Sequence, residues 1–109
     1  MGIWNQLDYL MGQSLKTLER DQPFEILEIT PSAIQIIVYS TKETRRIDRG
    51  KLEGAWMQLN KQGTISGTSL LDDFSSSNYA YIAAIMAAMP GVSYRADPLE
   101  LQILGAESK

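Results

Sequence analysis

The densest positive charge in the chain lies between residues 42 and 51. Half of its ten Lys and Arg residues fall in this window, which we call the cationic elbow: Lys42, Arg45, Arg46, Arg49 and Lys51. Guanidinium groups are planar forks of donors that match phosphate oxygens, and the start of a helix adds a favourable dipole. We expect the elbow to bind an external anion, and nucleic acid is the ligand that we favour.

A second interpretation of the elbow is that its arginines are solvated strand residues. Glu43 and Asp48 stand in the same window and offer carboxylates to Arg45 and Arg46. Exposed ion pairs of this kind contribute little to stability. Asp48 is also expected to cap the helix that follows, through hydrogen bonds from backbone N–H groups of its first turn. Both interpretations are open in the sequence, and the directions of the five side chains decide between them.

Catalytic chemistry finds little support in the composition. The chain has no Cys and no His, which excludes disulfides, thiolate metal sites and His-based nucleophilic triads within it. The adjacent carboxylates Asp72 and Asp73 and the serines at 75–77 are interpreted as a polar loop and a helix cap. No Gly-rich phosphate loop is present in the sequence. We therefore predict a protein that is not an enzyme, with no cofactor and no metal site.

The N-terminal half predicts a helix followed by an antiparallel β-meander. Apolar residues from Ile3 to Leu18 recur at helical spacing, but Gly12 interrupts them. We favour a short helix that ends at Gly12 over one that continues to Leu18, because Gly is costly in a helix interior. The strands of the meander are predicted at residues 14–18, 24–29, 34–39 and 45–47.

The C-terminal half predicts two main helices and a β-hairpin, with residues 64–67 as a connector. Its elements are predicted at residues 49–62 (helix), about 66–74 (short turn or helix), 79–89 (helix), 92–94 (strand) and 99–103 (strand). This is the order of a winged helix, in which the N-terminal end of the last helix contacts the major groove of DNA. That arrangement adds Ser76, Ser77 and Asn78, and Arg95 on the wing, to the expected nucleic-acid contacts.

The helix over residues 79–89 also supports a different class of function. It has almost no polar face, which is typical of a helix buried in a core or between two protomers. The second hypothesis is therefore a protein-interaction or homodimerisation domain that uses this helix and exposed strand edges. The formal net charge of −3 argues against strong nonspecific binding of nucleic acid, although it leaves room for a local basic patch.

The size of the chain predicts a single α+β domain over residues 1–109. An N-terminal helix and the antiparallel meander are expected to pack on the two main helices, and the hairpin closes the fold. No apolar run reaches the roughly 18–20 residues that cross a membrane. The N-terminus lacks a basic segment followed by an apolar one. We expect a cytoplasmic protein without membrane contacts.

Short segments along most of the chain resemble a small bacterial module that occurs alone or joined to restriction-type and other defence proteins. The segments that carry this resemblance are Leu15–Leu18, Pro23–Ile26, Arg46–Arg49, Glu53–Trp56, Gly63–Ile65 and Tyr79–Val92. The resemblance implies a noncatalytic accessory or DNA-recognition role near a nuclease, with this chain as the module without the nuclease.

Overall fold

Two antiparallel sheets and three helices make up the protein, in a computed structural model that describes residues 3–103. One sheet is the N-terminal meander, and the other joins the C-terminal hairpin to a short strand from the middle of the chain. One helix follows the first sheet along the chain, the other two lie between strands of the second sheet, and helices and sheets share one hydrophobic core. The α+β class predicted from the sequence is confirmed.

The predicted N-terminal helix is present as two short 3-10 turns, Ile3–Gln6 and Asp8–Leu10. Trp4, Leu7 and Leu10 recur at intervals of three and are all buried. A 3-10 helix has three residues per turn, so it places side chains at this spacing on one side. The turns end before Gly12, which has a φ of +80°. An α-helix would spread the same three side chains over a wider arc.

The meander is an antiparallel sheet in which consecutive strands are neighbours. Its strands are β1 (Ser14–Lys16), β2 (Pro23–Ile29), β3 (Ala33–Val38) and β4 (Glu43–Asp48). Side chains alternate between its two faces, and the apolar set faces the core: Phe24, Ile26, Ile34, Ile36, Val38 and Ile47. The other face carries mostly polar residues and is open to solvent, as is common in antiparallel sheets.

The C-terminal half contains three helices and a three-stranded sheet. Its elements are α1 (Arg49–Gln62), β5 (Thr64–Ser66), α2 (Gly67–Ser69) with the π-helical turn Leu70–Phe74, α3 (Tyr79–Ala87), β6 (Val92–Ala96) and β7 (Leu99–Ile103). In this sheet β7 lies between β5 and β6. The two main helices and the two hairpin strands lie where the sequence predicted them, and β5 is an additional strand between α1 and α2.

The expectation that residues 64–67 form a connector is wrong, because Thr64–Ser66 is a strand. Ile65 is buried and pairs with Leu101 of β7. A strand of three residues is too short to show a periodic pattern. The partner that makes it a strand lies more than 30 residues further along the chain.

Helix α3 is the central helix of the core. Residues 81–86 are all buried, and the ring of Tyr81 meets the ring of Phe24 edge to face, with their centroids 5.1 Å apart. These residues therefore have no exposed side chain with which to enter a groove of DNA. The middle of this helix likewise has no exposed face with which to meet a second copy of the chain.

Gly67 lies where α2 packs against β7, and it leaves no room for a side chain. A Cβ at this position would stand 2.9 Å from the Cβ of Leu99 and 3.1 Å from its Cδ2. We expect Gly67→Ala to lower the free energy of unfolding by about 1–2 kcal/mol, because a Cβ atom held on a strand cannot move aside. Urea unfolding monitored by tryptophan fluorescence measures this change.

Gly50→Ala is the matched control for this substitution. Gly50 is exposed in the first turn of α1, and no atom lies within 4 Å of an added Cβ. Ala is the better helix former, so this variant should be as stable as the wild type or more stable by up to about 1 kcal/mol. Equal stability of the two variants would contradict the close contact at Gly67.

Candidate functional site

The cationic elbow runs along β4 and into the first turn of α1, and strand geometry separates its members. Arg45 is paired with Ile36 on the core-facing side of the meander, whereas Arg46 is paired with Gln35 on the open side. Two adjacent residues of a strand point to opposite faces of the sheet. Arg45 and Arg46 therefore cannot grip the same external anion.

Arg45 is bound within the protein. Its Nη1 donates to the carbonyl oxygen of Ser77 and to Oδ1 of Asn78, both at 3.3 Å. Its guanidinium lies 5.5 Å from the centroid of the Tyr81 ring, and Nη2 is 3.4 Å from the Glu43 carboxylate. The Nε atom is buried and has no hydrogen-bond partner among residues 3–103. Arg45 thus ties the loop that precedes α3 to the meander.

Arg46 and Arg49 also form ion pairs and hydrogen bonds with oxygen atoms of this chain. Arg46 Nε lies 3.0 Å from Oδ1 of Asp48, in a pair whose two side chains are more than half exposed. Arg49 pairs with Glu53 at 3.1 Å, donates to the carbonyl oxygen of Pro31 at 2.9 Å, and lies over the ring of Trp4. The second interpretation of the elbow, with arginines paired to acids of the same chain, describes these contacts.

Asp48 occupies the N-cap position of α1, as the sequence predicted, but its side chain makes no capping hydrogen bond. The carboxylate pairs with Arg46 instead. The predicted capping role of Asp48 is therefore wrong, because the neighbouring guanidinium competes for the same oxygen atoms.

Lys42 and Lys51 are the members of the elbow without an ion pair in the part of the chain that the structure describes. Both are exposed. Lys42 lies in the turn before β4, with a φ of +60°, and Lys51 lies in the first turn of α1. They stand beyond opposite ends of the six-residue strand β4, which spans roughly 20 Å. One phosphate group cannot contact both.

A groove of about 430 Å³ collects five of the nine predicted site residues, and we call it the elbow groove. The five are Arg46, Lys51, Ser76, Ser77 and Asn78. The carboxylates of Asp48, Asp72 and Asp73 line the same groove, so its cations are matched by acids. The Asn78 side chain is part of the scaffold, since its Nδ2 donates to the carbonyl oxygen of Arg46 at 3.0 Å.

The remaining predicted residues lie outside the elbow groove. They are Lys42, Arg45, Arg49 and Arg95. Arg95 is on the hairpin strand β6, where its Nη2 donates to Oε1 of Glu100 at 2.6 Å. The predicted set is thus divided among separate parts of the molecule.

A second groove, of about 640 Å³, is lined by the C-terminal hairpin, the segment 66–71 around α2, the start of α3 and one residue of the turn that joins β1 to β2, and we call it the hairpin groove. Glu19 comes from that turn, which is closed by a hydrogen bond from Gln22 N to Thr17 Oγ1 at 3.0 Å. The Tyr79 hydroxyl donates to Glu19 across the groove at 3.4 Å. Sequence reasoning missed this groove, because its lining residues come from segments as far apart as Glu19 and Glu100.

One tyrosine next to the elbow has a shifted pKa. Tyr39 follows β3 on the open side of the meander, and its hydroxyl donates to the Glu25 carboxylate. This hydrogen bond to a negative charge is the main reason that the pKa of Tyr39 is raised above its ordinary value.

Comparison of the chain with protein-family models, curated protein sequences and solved structures gave no match. The resemblance to a bacterial defence-associated module stays a prediction. Between residues 3 and 103, no helix has both the length and the apolar composition needed to cross a membrane. Within the same residues, no group of three or more acidic side chains is placed to hold a metal ion.

Proposed function

We propose that the protein is a noncatalytic interaction module whose partner is another protein. The observation that supports this choice is the state of the arginines: Arg45, Arg46, Arg49 and Arg95 each contact a carboxylate of the same chain. A nucleic-acid phosphate at these guanidinium groups would have to share them with carboxylates that repel its charge. Since the chain carries a net charge of −3, little long-range attraction would offset that repulsion.

The surroundings of α3 favour a protein partner for a second reason. In a winged helix that binds DNA, the last helix inserts its side chains into the major groove. Here residues 81–86 are buried, and the polar residues that precede the helix line a groove that also contains Asp72 and Asp73. Carboxylates at this position oppose a phosphate backbone, whereas they suit the mixed charge of a protein surface.

Peptide selection and DNA titration test the proposal in parallel. We expect peptides selected from a random library against the folded protein to shift a contiguous set of amide resonances in NMR titrations. A short DNA duplex at about 50 mM salt should leave the same resonances unchanged. Both titrations use the complete chain, so the two ligands are compared on one sample.

The opposite result would indicate that the protein binds nucleic acid. In that case the duplex would bind, its affinity would fall with salt at a log–log slope of roughly −0.9 per phosphate contact, and no peptide would compete with it. Arg46→Ala/Lys51→Ala would then weaken DNA binding. Both side chains are exposed, so the double variant removes two cations of the elbow groove without disturbing the core.

A further inference from the structure

The lining of the hairpin groove combines apolar residues with more acidic than basic side chains, and this composition points to one class of occupant. Resting on the proposal that the partner is a protein, we infer that this groove takes a basic side chain, Lys or Arg, from an exposed segment of that partner. Its volume, about 640 Å³, is in the range of sites that hold small ligands or single anchoring side chains.

Part of the lining of the groove is apolar. It includes Leu71, which is 37% exposed, the half-buried Tyr79, and Pro98 and Leu99 from the hairpin. Lys and Arg have aliphatic stems that cover apolar surface while their charged ends stay at the edge. A cation is also favourably placed over the face of an aromatic ring, and Tyr79 supplies an aromatic residue to the lining.

The lining of the groove carries more negative than positive charge. Its charged lining residues are Glu19, Asp97, Glu100 and Arg95. Arg95 and Glu100 neutralise each other at 2.6 Å. Glu19 and Asp97 have no Lys or Arg within 4 Å in the described part of the chain, although Glu19 accepts the hydroxyl of Tyr79. The carboxylates of Glu19 and Asp97, which have no cationic partner among the described residues, would attract a cation and repel an acidic segment.

The elbow groove does not have this selectivity. Arg46 and Lys51 line it together with three carboxylates, and its apolar lining is limited to Ile47 and Phe74. A basic side chain there would meet cations as well as acids. The elbow groove therefore serves as a control, because removing acidic charges there should not change the binding of a basic peptide to the hairpin groove.

Two blocked peptides of equal length in a Gly/Ser background, one with Lys and Arg and the other with Glu, provide the probes. We expect the basic peptide to shift amide resonances around Leu71, Tyr79 and Asp97 in an NMR titration, and the acidic peptide to leave them unchanged. The double variant Glu19→Gln/Asp97→Asn should raise the Kd of the basic peptide about fivefold to tenfold. Thr68 is exposed and lines the groove. Thr68→Lys should weaken binding of the basic peptide, because the new ammonium group would compete for the same carboxylates and repel the peptide.

Asp72→Asn/Asp73→Asn is the matched control, because it removes the same number of charges from the elbow groove. It should leave the Kd of the basic peptide unchanged. Equal weakening by both double variants, equal binding of both peptides, or shifts confined to another surface would overturn the assignment. Light scattering that shows self-association, lost in Glu19→Gln/Asp97→Asn, would overturn it in favour of a second copy.

The two proposals fail in different ways. If selected peptides bind but the basic probe does not, the hairpin groove is the wrong site and the interaction function stands. If no peptide of any charge binds while the DNA duplex does, the interaction function itself is wrong.

Discussion

Phe24→Ala is expected to lower the free energy of unfolding by about 3–5 kcal/mol. Phe24 is fully buried at the start of β2, and its ring is the edge-to-face partner of Tyr81 at the first turn of α3. Truncation leaves a cavity between the meander and the central helix, and it removes an aromatic contact in addition to the buried area. Urea unfolding followed by circular dichroism measures the loss.

Leu27→Ala is the control on the same strand. Leu27 lies at the irregularity of register between Ile26 and Glu28 and is 44% exposed. Its truncation should cost less than about 1 kcal/mol, because much of its side chain is already in water. If the two truncations cost the same, the packing of the meander on α3 is not the main link between the two halves of the fold.

Arg45→Ala is expected to lower the free energy of unfolding by about 2–3 kcal/mol. This effect is large for a residue whose charged sequence neighbours would predict an exposed position. The substitution removes two hydrogen bonds from a charged donor and the contact with the Tyr81 ring. The side chain is 30% exposed, so solvent screens part of the ion pair with Glu43 and little stability is assigned to that pair. Hydrogen exchange should also become faster at residues 75–78, which Arg45 holds against the meander.

Arg46→Ala is the adjacent control for Arg45→Ala. Arg46 is 65% exposed and its ion-pair partner Asp48 is 59% exposed, so we expect a change of less than about 0.5 kcal/mol. Exchange at residues 75–78 should stay as in the wild type. Two neighbouring arginines with equal effects would contradict the division of their side chains between the two faces of the sheet.

The contrast between these arginines changes how the cationic elbow is understood. Its positive residues have different roles. Arg45 is a half-buried anchor, Arg46 forms a solvated ion pair, and Arg49 combines an ion pair with contacts to Pro31 and Trp4. Lys42 and Lys51 are the cations that remain free among the described residues of the elbow, and they are too far apart to act together. Binding of nucleic acid at the elbow stays a prediction, and the titrations described above test it.

Local patterns were sufficient for most of the secondary structure. β-branched and alternating residues predicted β2, β3, β4 and the hairpin strands, since a strand with one buried face shows its period of two directly. The apolar run of α3 predicted a buried helix, because a helix that is apolar on all sides is normally enclosed by other elements. The strand Thr64–Ser66 was not predicted, because three residues are too few to show a periodic pattern. It is a strand because it pairs with β7, which lies far along the chain.

The candidate sites depended on contacts that no local pattern contains. Arg45 meets Asn78 across 33 positions of the chain, and Tyr79 meets Glu19 across 60. The amino-acid sequence by itself determined the α+β class, the meander, the central helix and the absence of Cys- and His-based chemistry, because composition and periodicity act over a few residues at a time. Only the tertiary structure decided which charges cancel and where an acidic groove is left open, because these depend on which distant segments the core brings together.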